Sequence, residues 1–484
     1  MSVTQPRDTV DPRPAPGIPV LDKATGDVLG VVPAQTAGDV EDALTRARRG
    51  FLRWSELPLH RRAAALHAFA HEVDSRRQSL ARLLARENGK VLADALIEVD
   101  TTARIFRGFA EESVRLFGQT IPLDRQEGLE ADLLITRHEP LGVVAAILAF
   151  NFPAELFAHK VGAALAGGNA VVVKLPEPDP LTCLALVDML HSAGVPEDAL
   201  IALTGGGEEV GGALSRSDRI DAISFTGSSR VGRIIAQNAA PNIVRTSLEL
   251  SGNDAFIVAA DADLPLAIAH AREGRRATNG QVCIATKRLF VAEPVLEEFC
   301  RRLAETVDGI AVGNPLDGDA ELGPLISEDA ARRVEEQVAA AVARGARPVR
   351  TGRREGRFFH PAVLVLGPDD PIATDEEIFG PVFSLIPVRD VEEGVDRANA
   401  SAFGLNAAVF TSDVYAGIRA AARLQAGIVS LNGGNLYRPD GSSFGGYKRS
   451  GLGREGYLYS LHEFTQLKSI VLRGVFVPQH EHTR

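Results

Sequence analysis

The chain has 484 residues, of which 45% are apolar and 24% are charged, and these fractions are typical of a folded globular protein. The length predicts roughly two to four domains, or one large α/β unit with attachments, and it excludes a single small binding module. With 63 acidic and 52 basic residues the net charge is −11. Without a basic cluster, such a chain would repel the phosphates of a nucleic acid, so no nucleic-acid partner is predicted.

Cysteine content and hydropathy bear on the compartment. Cys183, Cys283 and Cys300 are too few and too widely spaced for a disulfide framework or a cysteine-rich zinc site, which fits a reducing compartment and predicts no metal. Residues 1–17 are polar and predict a loose arm rather than a signal peptide. The longest apolar run, 142–150, is far short of the ~20 residues that span a bilayer. We therefore expect a cytoplasmic protein with no membrane partner.

The chain between Asp39 and Phe117 predicts mostly helix, because its apolar residues recur at three- and four-residue spacing. Asn88-Gly89 interrupts this pattern as a helix stop. Residues 129–140 then change to a strand-like pattern, which favours a protruding hairpin.

Beyond Pro140, short apolar runs alternate with helical segments. The predicted order is strand 143–150, helix 154–166, strand 170–174, helix 181–193, strand 200–204, helix 210–216 and strand 220–226. This alternation predicts a parallel sheet covered by helices on both faces. A second such series runs from about Ala255 to Asn432, with candidate strands at 256–260, 288–291 and 428–431, so two α/β lobes are expected. The β-branched stretch 464–477 could pair with the hairpin or with another subunit.

Cys283 ends the segment Asn279-Gly280-Gln281-Val282-Cys283, whose small residues would let backbone amides approach a sulfur at a turn. A cysteine in a cytosolic enzyme is either a small core residue or a nucleophile. As a nucleophile it would need positive potential or oriented amides, because a free thiol has a pKa of ~8.5. The flanks of Cys183 and Cys300 are typical of helical packing residues. For Cys283 the residues alone leave both interpretations open.

Two further polar side chains lie in or after apolar segments. Glu249 is either a surface charge at a strand end or, in an apolar cleft near Cys283, a general base whose pKa is raised by desolvation. Asn151 follows the apolar run 143–150 and either caps the helix beginning near Ala154 or donates an N–H to an oxyanion.

Two segments carry signals of nucleotide binding. Residues 223–232 predict a strand, a glycine turn and a helix start, and a helix N-terminus readily binds anions, although the spacing is not GxGxxG. Lys174 and Glu177 follow another predicted strand. They suit the hydroxyls of a ribose, or they are ordinary loop charges.

These segments match sequence motifs of the aldehyde dehydrogenase superfamily and occur in the same order. The chain resembles this superfamily from about Asp22 to Leu472. The further matching segments are Pro140–Val144, Glu376–Val382, Phe444–Lys448, Ser450-Gly451 and Gly453–Glu455. The resemblance implies an aldehyde-dehydrogenase-like α/β fold with two α/β lobes. It implies a Rossmann-type cofactor domain at 1–121 and 141–252, a catalytic domain with the nucleophile at 253–446, and a β-strand oligomerisation arm at 122–140 and 462–484.

The resemblance also implies a role for each matching residue. Cys283 would be the nucleophile, Glu249 the general base and Asn151 the oxyanion donor. The implied cofactor-binding residues are Phe150, Lys174, Glu177, Gly227, Ser228, Gly232, Glu377 and Phe379. In this scheme the thiolate attacks an aldehyde, hydride passes to NAD(P)+, and water activated by Glu249 hydrolyses the thioester. Superfamily members that transfer the acyl group to coenzyme A typically lack this base, so a carboxylic acid is the expected product.

Glu177 favours NAD over NADP, because a carboxylate that accepts from the 2'-hydroxyl would repel a 2'-phosphate. NADP stays possible, since related enzymes can rotate such a glutamate aside. The chain also departs from the family's pattern: Phe150 replaces a common Trp, Ser251 a Gly, Asn253 a Lys and Ser443 a Pro, and Leu175-Pro176 alters the order after Lys174. None removes a reacting group, although cofactor affinity could shift.

The aldehyde itself is the least specified feature. The charged candidates for contacting a polar or anionic tail are Arg438, Asp440, His159, Lys160, Arg104, Arg107 and Arg276, and the alternative is a set of solvated charges. We expect a small aldehyde that is polar, acidic or hydroxylated. The alternatives are an aromatic or simple aliphatic aldehyde, a thiol esterase, and a non-catalytic nucleotide-binding scaffold of the same fold. The resemblance further implies a homodimer or homotetramer, with strand contacts from 129–139 and 467–473.

Overall fold

The computed structural model of the chain describes residues 17–476. The predicted loose arm at residues 1–16 and the end of the predicted oligomerisation arm, residues 477–484, lie outside the described residues. Within the described range no helix combines the length and the apolar character needed to cross a membrane.

The helices and strands follow one another along the chain as a mixed α/β series. The helices are α1 (Ala37–Ser55), α2 (Leu59–Ser75), α3 (Arg77–Asn88), α4 (Leu92–Ser113), α5 (Pro153–Phe157), α6 (Ala163–Ala166), α7 (Leu181–Ser192), α8 (Gly212–Arg216), α9 (Ser229–Ala239), α10 (Leu264–Arg276), α11 (Glu293–Asp308), α12 (Glu328–Ala343), α13 (Val391–Asn399), α14 (Val414–Arg423) and α15 (Tyr457–Glu463). The strands are β1 (Gly17–Leu21), β2 (Val28–Pro33), β3 (Thr120–Pro122), β4 (Leu133–Pro140), β5 (Val143–Ile147), β6 (Ala170–Lys174), β7 (Leu200–Leu203), β8 (Ala222–Thr226), β9 (Arg245–Glu249), β10 (Ala255–Val258), β11 (Arg288–Ala292), β12 (Arg347–Arg350), β13 (Arg353–Glu355), β14 (Phe358–His360), β15 (Ala362–Val365), β16 (Val382–Val388), β17 (Phe403–Gly404), β18 (Asn406–Phe410), β19 (Ile428–Leu431), β20 (Tyr447–Lys448), β21 (Gly451–Leu452) and β22 (Thr465–Leu472).

The helical pattern predicted before Phe117 is confirmed by α1 to α4. Helix α2 packs on α4, where the rings of Phe69 and Phe106 lie 4.3 Å apart. Helix α3 ends at the predicted stop because Gly89 takes a left-handed conformation, with φ of 97°. A side chain at Gly89 would also collide with the carbonyl oxygen of Pro324, so both the turn and the close approach require glycine.

The first sheet has six strands in the order β21-β9-β8-β5-β6-β7, parallel except for β21. Alternate residues of β5 point into two different apolar clusters, with Val144 and Ala146 on one side and Val143 and Ala145 on the other. Because the sheet is buried on both faces, the sequences of its strands are continuous apolar runs. The predicted parallel sheet with helices on both faces is confirmed.

The predicted strand 143–150 was too long, because β5 ends at Ile147. Residues 148–152 stay buried or half-buried, but their backbone turns away to contact other elements: Asn88 Nδ2 donates to the Phe150 carbonyl at 2.8 Å. The predicted helix 154–166 is divided into α5, a π-helical turn at Ala158–Gly162, and α6. An apolar run identifies burial, not the point at which strand pairing stops.

The second sheet has seven strands in the order β12-β15-β16-β11-β10-β18-β19, all parallel except β12. The three strands predicted here from the sequence correspond to β10, β11 and β19. The other four strands were not identified in the sequence.

A separate three-stranded sheet has the order β22-β4-β3 and is antiparallel. All eight residues of β22 pair with β4, from Thr465 opposite Pro140 to Leu472 opposite Leu133. Of the two pairings considered for the stretch 464–477, the structure therefore contains the one within the chain. Leu467 and Val471 of β22 are 62% and 54% exposed.

Candidate active site

Two cavities meet at Cys283. Cavity I has a volume of about 440 Å³, and cavity II about 290 Å³. Both are lined by Asn151, Thr226 and Cys283. The two stretches of chain that carry Asn151 and Cys283 are thus brought to one junction, which has a separate chamber on each side.

Cys283 lies in a turn that the preceding residues shape. Thr278 and Asn279 have positive φ, and a side chain at Gly280 would lie 2.4 Å from the backbone of Gly380. The Asn279 amide donates to the carbonyls of Gly89 and Pro324, at 3.0 and 2.9 Å, and accepts from the Gly323 N–H at 2.7 Å. The motif before the cysteine therefore fixes a strained loop whose end reaches the junction.

The Cys283 thiol is held in its neutral form. Burial raises its pKa to about 12, against the opposing charge of Lys287. Lys287 donates to the carbonyls of Cys283 and Gly252 and lies 2.8 Å from a carboxylate oxygen of Glu377. A neutral thiol at this position must lose its proton when it attacks an electrophile.

Asn151 is 5% exposed and follows the end of β5. It does not cap α5, because Phe152 occupies the cap position and no side-chain cap is formed. Lys90 Nζ donates to the Asn151 carbonyl at 2.8 Å, which fixes the backbone from outside the cavities. The side chain is thereby placed where it lines both chambers.

Glu249 is the last residue of β9 and lies between Thr226 of β8 and Gly451 of β21. It is 4% exposed, which excludes the surface-charge interpretation, and neither carboxylate oxygen has a hydrogen-bond partner within residues 17–476. Burial, and then the charge of Glu455, raises the pKa of Glu249 well above its ordinary range. Its side chain lines neither cavity, but its charge acts on the Cys283 thiol.

Five of the residues predicted to bind a cofactor line cavity I: Phe150, Gly227, Ser228, Glu377 and Phe379. The rings of Phe150 and Phe379 are edge to face at 6.1 Å. Ser228 caps α9, its side chain accepting from the Val231 N–H at 3.3 Å. Gly232 lies behind the wall, where a side chain would come within 2.4 Å of Leu250, so its role is the close packing of α9.

Lys174 is the last residue of β6 and Glu177 lies in the loop after it, and both are outside the lining of cavity I. Their charged groups are 3.7 Å apart, with Lys174 buried and the Glu177 side chain 49% exposed. Glu177 also accepts from the Gly207 N–H. The arrangement places a buried cation beside a carboxylate that reaches the surface.

The charged residues considered for the substrate are placed very differently. Arg438, Arg104 and Asp440 line cavity II, the last two as an ion pair. Arg276 pairs with Asp94 and Glu273, which line the same cavity. Lys160 is buried against Glu455 at 2.8 Å.

His159 and Arg107 do not line either cavity. His159 is 1% exposed, and neither of its ring nitrogens has a hydrogen-bond partner in residues 17–476. Burial lowers the pKa of His159 to about 3, so the ring is uncharged. Arg107 pairs with Asp74 on the surface. The expectation that these two side chains contact the substrate is therefore not supported by their positions.

Several lining residues of cavity II were not identified in the sequence. Helix α4 contributes Asp94, Ile97 and Thr101 in addition to the predicted Arg104, and the spacing of three, four and three residues places all four on one helix face. Glu155, in α5, is a further lining residue. The sequence signal that could have identified these residues is the helix face of α4 that mixes polar and apolar side chains, because the other faces of this helix pack in the core.

No group of three or more His, Cys, Asp or Glu side chains able to hold a metal ion occurs among residues 17–476.

Comparison with known proteins identifies the family of the chain. The family model described as aldehyde dehydrogenase family matches residues 10–470. The chain is 37% identical over 457 residues to a glutarate-semialdehyde dehydrogenase of Pseudomonas putida, covering 94% of each protein. It is 37% identical over 455 residues to the NADP(+)-dependent succinate-semialdehyde dehydrogenase of Escherichia coli, covering 93% of each.

Among solved structures, the NAD+ complex of an aldehyde dehydrogenase from Bacillus cereus superposes with a TM-score of 0.91 at 34% identity. The match covers 95% of this chain and 93% of that one. The resemblance and the fold predicted from the motifs are thereby confirmed, and the chain belongs to the aldehyde dehydrogenase family.

Proposed function

We propose that this enzyme oxidises a small polar aldehyde to its carboxylic acid with NAD(P)+, through a thioester on Cys283. The observation that carries the proposal is the junction itself, where Cys283 and Asn151 line both a chamber formed by cofactor-motif residues and a second, charged chamber.

The side chains of cavity I fit a nicotinamide dinucleotide. The start of α9 at Ser228 offers first-turn N–H groups for a pyrophosphate. Phe150 and Phe379 offer apolar walls for a planar ring. Lys174 and Glu177 suit ribose hydroxyls. Bound there, the nicotinamide supplies the hydride acceptor.

In the first half of the proposed reaction, the Cys283 thiol releases its proton to solvent and its sulfur attacks the aldehyde carbon. The carbonyl oxygen then carries a negative charge, which the Asn151 amide N–H and the Cys283 backbone N–H stabilise as hydrogen-bond donors. The fixed backbone of Asn151, held by Lys90, supports this role because the donor needs no reorganisation at the moment of attack.

In the second half, Glu249 takes a proton from the water that hydrolyses the thioester. A buried carboxylate with a raised pKa is a stronger base than an exposed one, which supports this role. A base at this position favours water as the acyl acceptor, and the product is then the free acid.

We propose NAD as the main cofactor, with NADP as the alternative. The support is Glu177, whose carboxylate stands beside Lys174 where a 2'-phosphate would be repelled. One relative is named as NADP(+)-dependent and one neighbour holds NAD+, so both cofactors occur among similar proteins.

A small polar substrate is supported by the charged lining of cavity II and by the relatives named for glutarate semialdehyde and succinate semialdehyde. Aromatic and simple aliphatic aldehydes would place apolar atoms against these charged groups, which removes water from the charges without a polar group in exchange.

We propose a homodimer or homotetramer in which the exposed edge strand β22 is covered, since an open strand edge with exposed Leu467 and Val471 is prone to pair. Light scattering of the purified protein tests this, and a monomer at working concentration would contradict it. The free thiols of Cys183, Cys283 and Cys300 fit the proposed cytoplasmic location.

The reaction is tested by following the absorbance of the reduced nicotinamide with a panel of aldehydes and both cofactors. Cys283→Ser should abolish turnover while cofactor binding persists. The matched control is Cys300→Ser, because Cys300 is buried in α11 away from both cavities. Substantial turnover by Cys283→Ser would mean that another group is the nucleophile.

A further inference from the structure

Arg438 presents a guanidinium group to cavity II from the loop between β19 and β20. Its side chain is 12% exposed, and its guanidinium carbon lies 3.8 Å from the centre of the Phe444 ring. It donates to Glu455 at 2.9 Å and to Glu155 at 3.4 Å. A guanidinium has five N–H donors in a planar fork, so these two contacts leave donors for a third partner.

The two carboxylates that pair with Arg438 are held to different degrees. Glu455 also accepts from Lys160 at 2.8 Å, and although burial opposes ionisation, Lys160 and its other basic neighbours lower its pKa. Among residues 17–476, the Glu155 carboxylate has one hydrogen bond, the long contact to Arg438, and it lies 3.8 Å from His159 Nε2. Glu455 is therefore a fixed counter-ion, and Glu155 is an exchangeable one.

Other cations near cavity II are less available. Arg104 is paired with Asp440, and its side chain is 56% exposed. Arg276 is shared between Asp94 and Glu273. Arg438 combines burial, an aromatic platform and a weakly held counter-ion, and it lines the same cavity as Cys283.

We propose that Arg438 is the receptor for an anionic group at the far end of the aldehyde, and that Glu155 takes up one proton from solvent when this group binds. The inference rests on the proposed function and narrows its substrate class to aldehydes with a terminal oxyanion. Carboxylate, sulfonate and phosphate share the chemistry that a planar fork recognises.

The protonation of Glu155 gives the proposal a pH signature. Burial raises the pKa of Glu155 to about 7; the groups that face it are Arg438, Glu98, Asp440, Lys90 and His159. Below this pH Glu155 is neutral and does not compete for Arg438. Above it the anion must bind together with a proton, so the KM for an anionic aldehyde should rise up to about tenfold per pH unit, whereas the KM for a neutral aldehyde should not.

The test compares kcat/KM for succinate semialdehyde and for butanal, a neutral aldehyde of equal chain length. Arg438→Met should lower the ratio of the two values by roughly 10- to 100-fold, the range of a charged hydrogen bond. Arg107→Gln is the matched control, because its ion pair with Asp74 lies outside both cavities. An unchanged ratio in Arg438→Met would overturn the proposal.

If Arg438→Met does not fold, Glu155→Gln provides a second test. It keeps the shape of the side chain and removes its charge, so the KM for succinate semialdehyde above pH 7 should fall and lose its pH dependence. A pH dependence that persists in this variant would contradict the role of Glu155.

Aldehydes with sulfonate and phosphate tails identify the anion. A preference for any of the three over the neutral aldehyde supports the receptor, and a neutral aldehyde that reacts as well as all three overturns it. Absence of reduced nicotinamide with every aldehyde would instead contradict the proposed function, so the two failures are distinguishable.

Discussion

The two cavities that meet at Cys283 are built from the chain in different ways. Cavity I is lined largely by short contiguous runs, such as 149–151, 226–228 and 250–251, that lie at or just after the ends of strands. Cavity II takes single side chains from one face of α4, from α5 and from the loop before Phe444. Cavity I is lined mainly by apolar and small polar groups, whereas the lining of cavity II combines apolar side chains with charged side chains that are already paired. A chamber built from runs can be identified from motifs, whereas a chamber built from single side chains cannot.

The largest expected effect is at Glu249, which lines neither chamber but whose charge acts on the Cys283 thiol. Glu249→Gln should lower steady-state kcat by roughly 10²- to 10⁴-fold, the usual worth of a general base, and leave the first turnover of cofactor reduction in place. Because burial raises the pKa of Glu249, the wild-type kcat should already fall on acidification at a pH above that of an ordinary carboxyl. This limb should be absent in the variant.

The control for this prediction is Glu127→Gln, a surface carboxyl in the loop between β3 and β4. A steady-state rate and pH profile that are the same in Glu249→Gln as in the wild type would remove Glu249 from the base role.

The buried side chains that hold the Asn151 backbone should have a large effect on the free energy of unfolding. Lys90 and Glu98 form a fully buried ion pair, and Glu98 also accepts from the Ala154 N–H at 2.9 Å. Lys90→Met would leave the Glu98 charge buried without its partner, which costs about 3–5 kcal/mol. Denaturant unfolding measures the loss. The double variant Lys90→Met with Glu98→Gln should recover much of it, and no recovery would mean that Lys90 contributes by packing alone.

Asn151→Ala tests whether a residue at the junction affects the reaction itself, whereas Arg438 in the wall of cavity II affects substrate recognition. Loss of one oxyanion donor costs roughly 10²- to 10³-fold in kcat, and this loss should be equal for anionic and neutral aldehydes, unlike that of an Arg438 variant. Cofactor affinity, measured by fluorescence quenching, should stay close to that of the wild type. A loss confined to anionic aldehydes would place Asn151 in substrate recognition instead.

The smallest expected effect is at Glu177, which lies outside the lining of cavity I. Glu177→Gln should raise the preference for NADP+ over NAD+, as a ratio of kcat/KM, by about tenfold, because it removes one like-charge repulsion of about 1.4 kcal/mol. Glu208→Gln, on the adjacent exposed turn, is the matched control. Equal shifts in both variants would show a general charge effect rather than a contact with the ribose.

The same contrast explains what the sequence predicted. The fold class followed from apolar runs, and Asn151, Ser228 and Glu249 were singled out because they lie at the ends of predicted strands, which meet at one edge of a parallel sheet. Cys283 was singled out by the small residues before it, and the roles of all four residues came from the family resemblance. From the sequence alone, Glu249 could be either a surface charge or a base in a cleft. Its burial depends on β21, which lies about 200 residues later in the chain.

The ion pairs around cavity II could not be predicted from the sequence, because their partners are far apart in the chain. Lys160 and Glu455 are 295 residues apart, and Arg438 and Glu155 are 283 apart. No local pattern indicates which Arg will meet which Glu. His159 and Arg107 were named because of their charge, but the first is buried without charge and the second is paired on the surface.

The central claim is that Cys283 carries the acyl group between the two chambers. Its most direct test is mass spectrometry of Glu249→Gln, quenched in acid after mixing with NAD+ and succinate semialdehyde and then digested. The account predicts an acyl adduct on the peptide that contains Cys283. An adduct on the peptide of Cys183 or Cys300 instead, or cofactor reduction with no adduct on any cysteine, would contradict it.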